Sequence, residues 1–308
     1  MIKQLFNGLN PLTARDDAGS AGKPPADAMK PSARMTLADA LRGDWLEFWY
    51  QPKIDLQLRR AVGAEMFARV RHPELGLLQP GKFLAGADEK SLTALNQRAL
   101  ISALHAGSSF AKLGVNLRVA INVTLNTLLE LPVSEIVRQH RPSANSWPGL
   151  IFDVNESQLI VDRPLLHEFL TEIDRCGIKL AIDDFGGGQL PLSRLKGLPF
   201  CELKLDRTFV MDCGVNPDDA SICKSIVDLA HNFGRTAVAI GVEKAADFKT
   251  LHAMGCDVAQ GYLLGQPMPL DEFLTLLKAR SVKSAKPAVA PLPPAQRRKK
   301  RRKVPTPI

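Results

Sequence analysis

The chain alternates between two hydrophobic periods. Short runs in which every second residue is apolar, such as Ile178-Lys179-Leu180-Ala181-Ile182, read as strands, and longer stretches with apolar residues three and four apart read as helices. Strands are expected at Leu46–Gln51, Ala61–Phe67, Leu117–Val123, Leu150–Val154, Lys179–Asp183, Glu202–Leu205, Thr236–Ile240 and Val258–Gly261. Between them, residues 165, 166, 169, 170 and 173 share one helical face, as do Ile222, Ile226, Leu229, Ala230 and Phe233 within Asp219–Phe233. Helices starting near Asp162 and Asp218 carry acidic first turns, and Gly177 and Gly234 sit where their C-terminal stops belong. Repeated β-then-α units imply a parallel sheet, and their number favours a closed α/β barrel of the TIM (β/α)8 type. The first two strands are joined through Asp55-Leu56-Gln57, a link short enough for a hairpin, so one antiparallel strand is expected at the start.

Composition sharpens the boundaries. Residues 1–35 are rich in Ala, Gly, Pro and Asp and show no sustained period, so they read as a disordered leader. The barrel domain is expected over 36–280, and residues 281–308 form a Pro/Ala-rich basic tail expected to stay extended. The formal charge of +8 belongs to that tail. It holds nine of the 40 basic residues and no acid, leaving 31 basic against 32 acidic residues in the body. The run Arg297–Lys303 is either a solvated tail or a contact for anionic membrane lipids or nucleic acid. It contains no aromatic residue, which argues against base stacking. Five scattered cysteines without a CxxC pair argue against a disulfide framework or a structural zinc site. No apolar stretch is long enough to span a membrane and no signal peptide is evident, so a cytoplasmic location is expected.

Candidate chemistry gathers at one end of the strands. Glu65, Asn122, Asp153, the pair Asp183-Asp184, Lys204 and Gln260 all fall at or near strand C-termini, the barrel face that carries active sites. Asn and carboxylate oxygens suit Mg²⁺, Mn²⁺ or Ca²⁺. Adjacent carboxylates stay charged only beside a cation or strong donors. Lys204, with Leu203 and Leu205 on the opposite face, is expected to point into the barrel mouth and pair with Asp183 or Asp206. Arg69 is favoured over Arg71 for the same mouth, because a strand ending near Phe67 aims only the nearer one there. Gly186-Gly187-Gly188 lacks a following Lys-Ser/Thr and reads as a flexible turn rather than a phosphate cradle. At the end of the seventh strand stands Ile240, where this chemistry calls for an acid.

Together, Tyr50-Gln51-Pro52-Lys53, Glu65-Met66-Phe67, Ile121-Asn122-Val123-Thr124, Asp153-Val154-Asn155-Glu156, Asp183-Asp184-Phe185-Gly186, Leu203-Lys204-Leu205-Asp206-Arg207, Gly241-Val242-Glu243 and Gln260-Gly261-Tyr262 resemble the EAL domain, the family of cyclic di-GMP phosphodiesterases and their inactive relatives. The match runs from about residue 45 to 278. The resemblance implies a modified TIM barrel with an antiparallel first strand. It implies metal ligands at Glu65, Asn122, Asp153 and Asp183, and a second set at Asp184 and Lys204. It also implies nucleotide contacts at Gln51, Arg69 and Gln260. Glu156 keeps a loop glutamate and Glu243 the later glutamate of an E-G-V-E motif, whose first, water-activating glutamate is replaced here by Ile240. Asp153 replaces a glutamate, and Gly187-Gly188-Gln189-Leu190-Pro191 replaces a loop that in the family couples metal binding to dimerisation, so a homodimer is an open expectation. The resemblance therefore implies a stand-alone, degenerate member that binds cyclic di-GMP, a protein partner or both without hydrolysis. The alternative is an active phosphodiesterase giving linear pGpG, with Glu243 rotating in as base.

Overall fold

A computed structural model describes residues 35–142, 147–159, 163–188 and 190–284. Residues 1–34 of the expected leader, the tail from 285 with its basic run, Asp162 and Gln189 lie outside the described residues. The order is α1 (Leu37–Arg42), β1 (Leu46–Asp55), β2 (Ala61–His72), β3 (Gly76–Leu78), α2 (Glu89–Lys112), β4 (Arg118–Asn122), α3 (Leu125–Glu130) and α4 (Val133–His140). There follow β5 (Leu150–Asn155), α5 (Arg163–Arg175), β6 (Ile178–Phe185), α6 (Leu192–Leu195), β7 (Phe200–Leu205), α7 (Arg207–Val210) and α8 (Pro217–Asn232). The last elements are β8 (Thr236–Ala239), α9 (Ala245–Ala253), β9 (Val258–Ala259), β10 (Met268–Pro269) and α10 (Leu270–Ser284).

Strands β2, β4, β5, β6, β7, β8 and β9 pair in parallel sequence, and β1 closes the ring by pairing antiparallel with both β2 and β9. The result is the expected eight-stranded α/β barrel with an antiparallel first strand. The turn at Leu56–Leu58 is fixed by Asp55 Oδ1, which accepts the N–H groups of Gln57 and Leu58.

Alternation along each strand decides what lies inside the ring. Val119, Ile121, Phe152, Val154, Leu180, Ile182, Leu203, Leu205, Ala237 and Ala239 face outward and join the main core beneath the helices. Of the expected α5 face, Leu166, Phe169, Leu170 and Ile173 are buried, and the side chain of Leu165 lies outside the described residues. Each such large side chain removed from water contributes about 1.5–3 kcal/mol. A one-residue slip would exchange this set for the charged set inside, so the register is strongly fixed. On the inner face, Ala120, Ile151 and Ala181 with Cys201 form a small apolar layer. The inner side chains of Lys53, Glu65, Asp153, Lys204 and Gln260 are buried as well.

Several boundaries differ from expectation. β2 continues to His72 because Leu46–Trp49 and β3 keep pairing with it, so Glu65 is a mid-strand residue and Phe67 is not an end. Arg71 therefore shares the face of Arg69, but it is exposed and pairs with Glu47 at 2.8 Å. β6 runs on through Asp183 and Asp184, since Phe185 still pairs with Leu205. β8 and β9 stop at Ala239 and Ala259, leaving Ile240 and Gln260 just beyond the last ladder residues. Helix α10 extends to Ser284, four residues into the expected tail, because no proline interrupts it before Pro287. The pattern also passed over α1, β3 and β10. No helix among the described residues is long and apolar enough to cross a membrane.

Candidate functional site

β7 turns Leu203 and Leu205 outward and Lys204 inward, leaving its side chain 1% exposed. Carrying a buried ammonium costs several kcal/mol unless it is paired. Three strands supply the partners. Lys204 Nζ lies 2.8 Å from Asp153 Oδ2 on β5, 3.0 Å from Glu65 Oε2 on β2 and 3.0 Å from Asp183 Oδ1 on β6. From β4, Asn122 Nδ2 donates to the other Glu65 oxygen at 2.8 Å. Sequence reasoning paired Lys204 with Asp183 or Asp206. The first holds, whereas Asp206 is spent on capping α7 through the Thr208 N–H at 2.7 Å.

The electrostatics follow from this crowding. Burial disfavours the Lys204 charge, yet Asp153, Asp183 and Glu65 together hold its pKa well above the usual lysine range. Burial also pushes Glu65 up, but the Lys204 charge and the Asn122 amide outweigh it and hold that carboxyl below its ordinary value. Asp153 is pushed up to about 8, chiefly by burial, against the pull of Lys204. One level lower, buried Lys53 pairs with Glu202, so charges stack along the barrel axis.

Glu65, Asp153 and Asp183 present carboxylate oxygens that all lie within 4.8 Å of one another. Asp153 Oδ1 is buried without a hydrogen-bond partner. An oxygen set of this charge, with one unsatisfied carboxylate atom, fits one hard divalent ion such as Mg²⁺, Mn²⁺ or Ca²⁺, with the Asn122 amide beside it, provided the Lys204 ammonium that bridges the three carboxylates gives way.

The neighbouring position is different. Asp184 sits at φ 51° and accepts Asn155 Nδ2 at 2.9 Å. Burial, then Asp183 and Asp206, push its pKa up. Beyond β8, Gln260 N–H donates to the Ala239 carbonyl at 2.8 Å and Val242 N–H to the Gln260 carbonyl at 3.0 Å. These two bonds bracket Ile240, which is half-exposed and packs into no core cluster. It stands two residues past Val238, the residue paired in register with Lys204. Glu243, the expected later glutamate, is exposed and 2.7 Å from Arg207 Nη2. Gly241, at φ 76°, makes room for the Arg207 stem, which an added Cβ would strike. Ile240 offers no ligand atom and Glu243 is engaged elsewhere, so these residues do not fit a second ion.

Around this centre, Gln260 Nε2 donates to Gln51 Oε1 at 2.8 Å, and Gln51 Nε2 to the Gly265 carbonyl at 2.8 Å. Gln260 Oε1 is buried without a partner. Arg69 is buried, with its guanidinium 5.7 Å from the Trp49 ring centre and 5.8 Å from that of Phe67. Glu156 is buried beneath the loop after the paired acids, and its Oε2 accepts the Gly186 N–H at 3.5 Å. Sequence reasoning gave no role to Asn155, Arg207 or Glu202. Asn155 was accessible to it, being two residues from Asp153 on the same strand face; the long-range partners of the others carry no local signal.

Comparison with known proteins identifies the family and the fold. The EAL domain family model matches residues 34–267. The cyclic di-GMP phosphodiesterase RocR of Pseudomonas aeruginosa is 34% identical over 248 residues, covering 78% of this chain and 62% of RocR. The cyclic di-GMP phosphodiesterase PA2567 of the same organism is 32% identical over 269 residues, covering 83% of this chain and 46% of that protein. The chain thus spans between about half and two thirds of the length of these relatives. A solved structure of the PaMucR phosphodiesterase in its c-di-GMP complex superposes with a TM-score of 0.70 at 32% identity, over 77% of this chain and 97% of that one. An eight-stranded ring with one reversed strand, three converging carboxylates around a buried lysine, and a family match over most of its length place this chain in the EAL domain family.

Proposed function

We propose that this chain is a regulatory EAL domain that binds cyclic di-GMP without hydrolysing it and relays its occupancy to a partner protein. The observation that carries the proposal is Ile240. It stands at the β8 exit, between the two residues bonded to the Gln260 backbone, where a water-activating carboxylate is needed. Losing a positioned general base alone lowers a rate by typically about 10²–10⁴. Lys204 cannot compensate, because its ammonium is buried among three carboxylates. Glu243 is tied to Arg207 on the exposed side.

The groups suited to recognition persist. Glu65, Asn122, Asp153 and Asp183 would hold one divalent ion, which when bound supplies positive charge to a phosphodiester oxygen. Gln260 Oε1, buried and unpaired, is positioned to accept a hydrogen bond from a ligand N–H, and Arg69 offers a planar cation on an aromatic bed. The relatives named as cyclic di-GMP phosphodiesterases, and the PaMucR structure containing that nucleotide, support cyclic di-GMP as the ligand.

The test is calorimetric titration of the full chain with cyclic di-GMP, with and without Ca²⁺, followed by chromatography of the cell contents. Saturable binding with the nucleotide recovered intact supports the proposal. Recovery of linear pGpG favours an active phosphodiesterase. Absence of binding overturns the ligand assignment and leaves the surface alone as the functional element.

A further inference from the structure

Away from the barrel mouth, His105 on α2 and His140 at the last position of α4 place their ring centres 5.6 Å apart, with the planes inclined at 68°. Two imidazoles that share one tetrahedral ion through metal–nitrogen bonds of about 2.0–2.1 Å have ring centres roughly 5 Å apart, close to the separation of this pair. The backbones beneath them are fixed. Leu100, Ala103 and Leu104 of α2 and Val133, Ile136 and Val137 of α4 are all buried in the main core. Immediately after His140 the chain docks against α2 at Gly107, where an added Cβ would lie 3.1 Å from Trp147 Nε1 and 3.6 Å from Pro142 Cγ. A side chain at Gly107 would crowd Trp147 and Pro142.

The surroundings favour a cation. His140 sits at the carbonyl end of α4, where the helix dipole is negative. The nearby cationic side chains are engaged elsewhere, Arg138 with Glu135 at 2.7 Å and Arg141 over the Trp147 ring. His105 is exposed and His140 partly so, which leaves an approach for an ion and room for water at its remaining positions.

We propose that His105 and His140 form a bis-imidazole site for a divalent transition metal of the Zn²⁺ and Cu²⁺ class, clamping α4 to α2. Nitrogen ligands separate it chemically from the oxygen-only centre in the barrel, which favours harder ions. The site is independent of the nucleotide reading above.

The test uses the full chain with excess Mg²⁺ present, so that the carboxylate centre is occupied. Cu²⁺ added at one equivalent should give an electron paramagnetic resonance spectrum with coupling to two imidazole nitrogens. Zn²⁺ should raise the melting temperature by mass action. His105→Ala and His140→Ala should each weaken binding by about tenfold or more and abolish the Zn²⁺ shift, without changing metal-free stability. His231→Ala removes a histidine that lies 2.9 Å from Asp257 and should change neither readout. Binding that survives both single alanine variants, or a spectrum without coupling to two nitrogens, overturns the proposal.

Discussion

Arg207 Nη2 lies 2.7 Å from Glu243 Oε1 while its stem crosses Gly241, so the only glutamate close in sequence to Ile240 is held on the outer side of the β8 exit. Both side chains are partly exposed, 56% and 38%, and such pairs contribute at most about 1 kcal/mol. Arg207→Ala should therefore cost little stability in urea titrations. It should also leave cyclic di-GMP intact, because a freed Glu243 is still three residues past the position that needs a base. Appearance of linear product in this variant would show that Glu243 can serve.

Gly241 should be the more sensitive member of that contact. Its φ of 76° lies in the left-handed region, which costs a side-chain-bearing residue of order 1–3 kcal/mol, and a Cβ there meets Arg207. Gly241→Ala should lower the denaturation midpoint accordingly. Adding Arg207→Ala should recover the part due to collision and leave the part due to backbone strain. Full recovery would contradict the strain assignment.

Lys204 acts as the internal counter-ion of the barrel. Lys204→Met removes the cation shared by Glu65, Asp153 and Asp183, and breaking a buried charge set in this way costs about 3–5 kcal/mol. Chemical denaturation should show that loss, and added Mn²⁺ should restore part of it by binding the released carboxylates. A variant as stable as wild type, with no response to Mn²⁺, would mean that Lys204 does not hold the cluster.

The Lys53–Glu202 pair below it should behave as a coupled unit. Lys53→Met and Glu202→Gln should each destabilise strongly by stranding a buried partner. The double variant should cost less than their sum, with a coupling of about 0.5–3 kcal/mol. Strict additivity would indicate that the two charges are solvated separately.

Most of the barrel was legible because strand period and helix period alternate along the chain; Lys204 was expected inward from parity with Leu203 and Leu205, and Asp153 and Asp183 were expected at the mouth from their places near strand ends. What parity did not supply was convergence. That Lys204 reaches Glu65, 139 positions away, depends on ring closure and stagger, and Glu65 itself was misplaced toward a strand end because β2 continues into a hairpin above the ring. Likewise, Arg207 and Glu243 are 36 positions apart, and only the folded chain shows that Glu243 is occupied.

The central claim is that one aliphatic side chain at the β8 exit silences the site. It is tested most directly by incubating wild type and the Ile240→Glu/Asp153→Glu variant side by side with cyclic di-GMP and Mn²⁺ and measuring linear pGpG over time. The account predicts no product from wild type and measurable turnover from the variant. Steady product formation by wild type would contradict it.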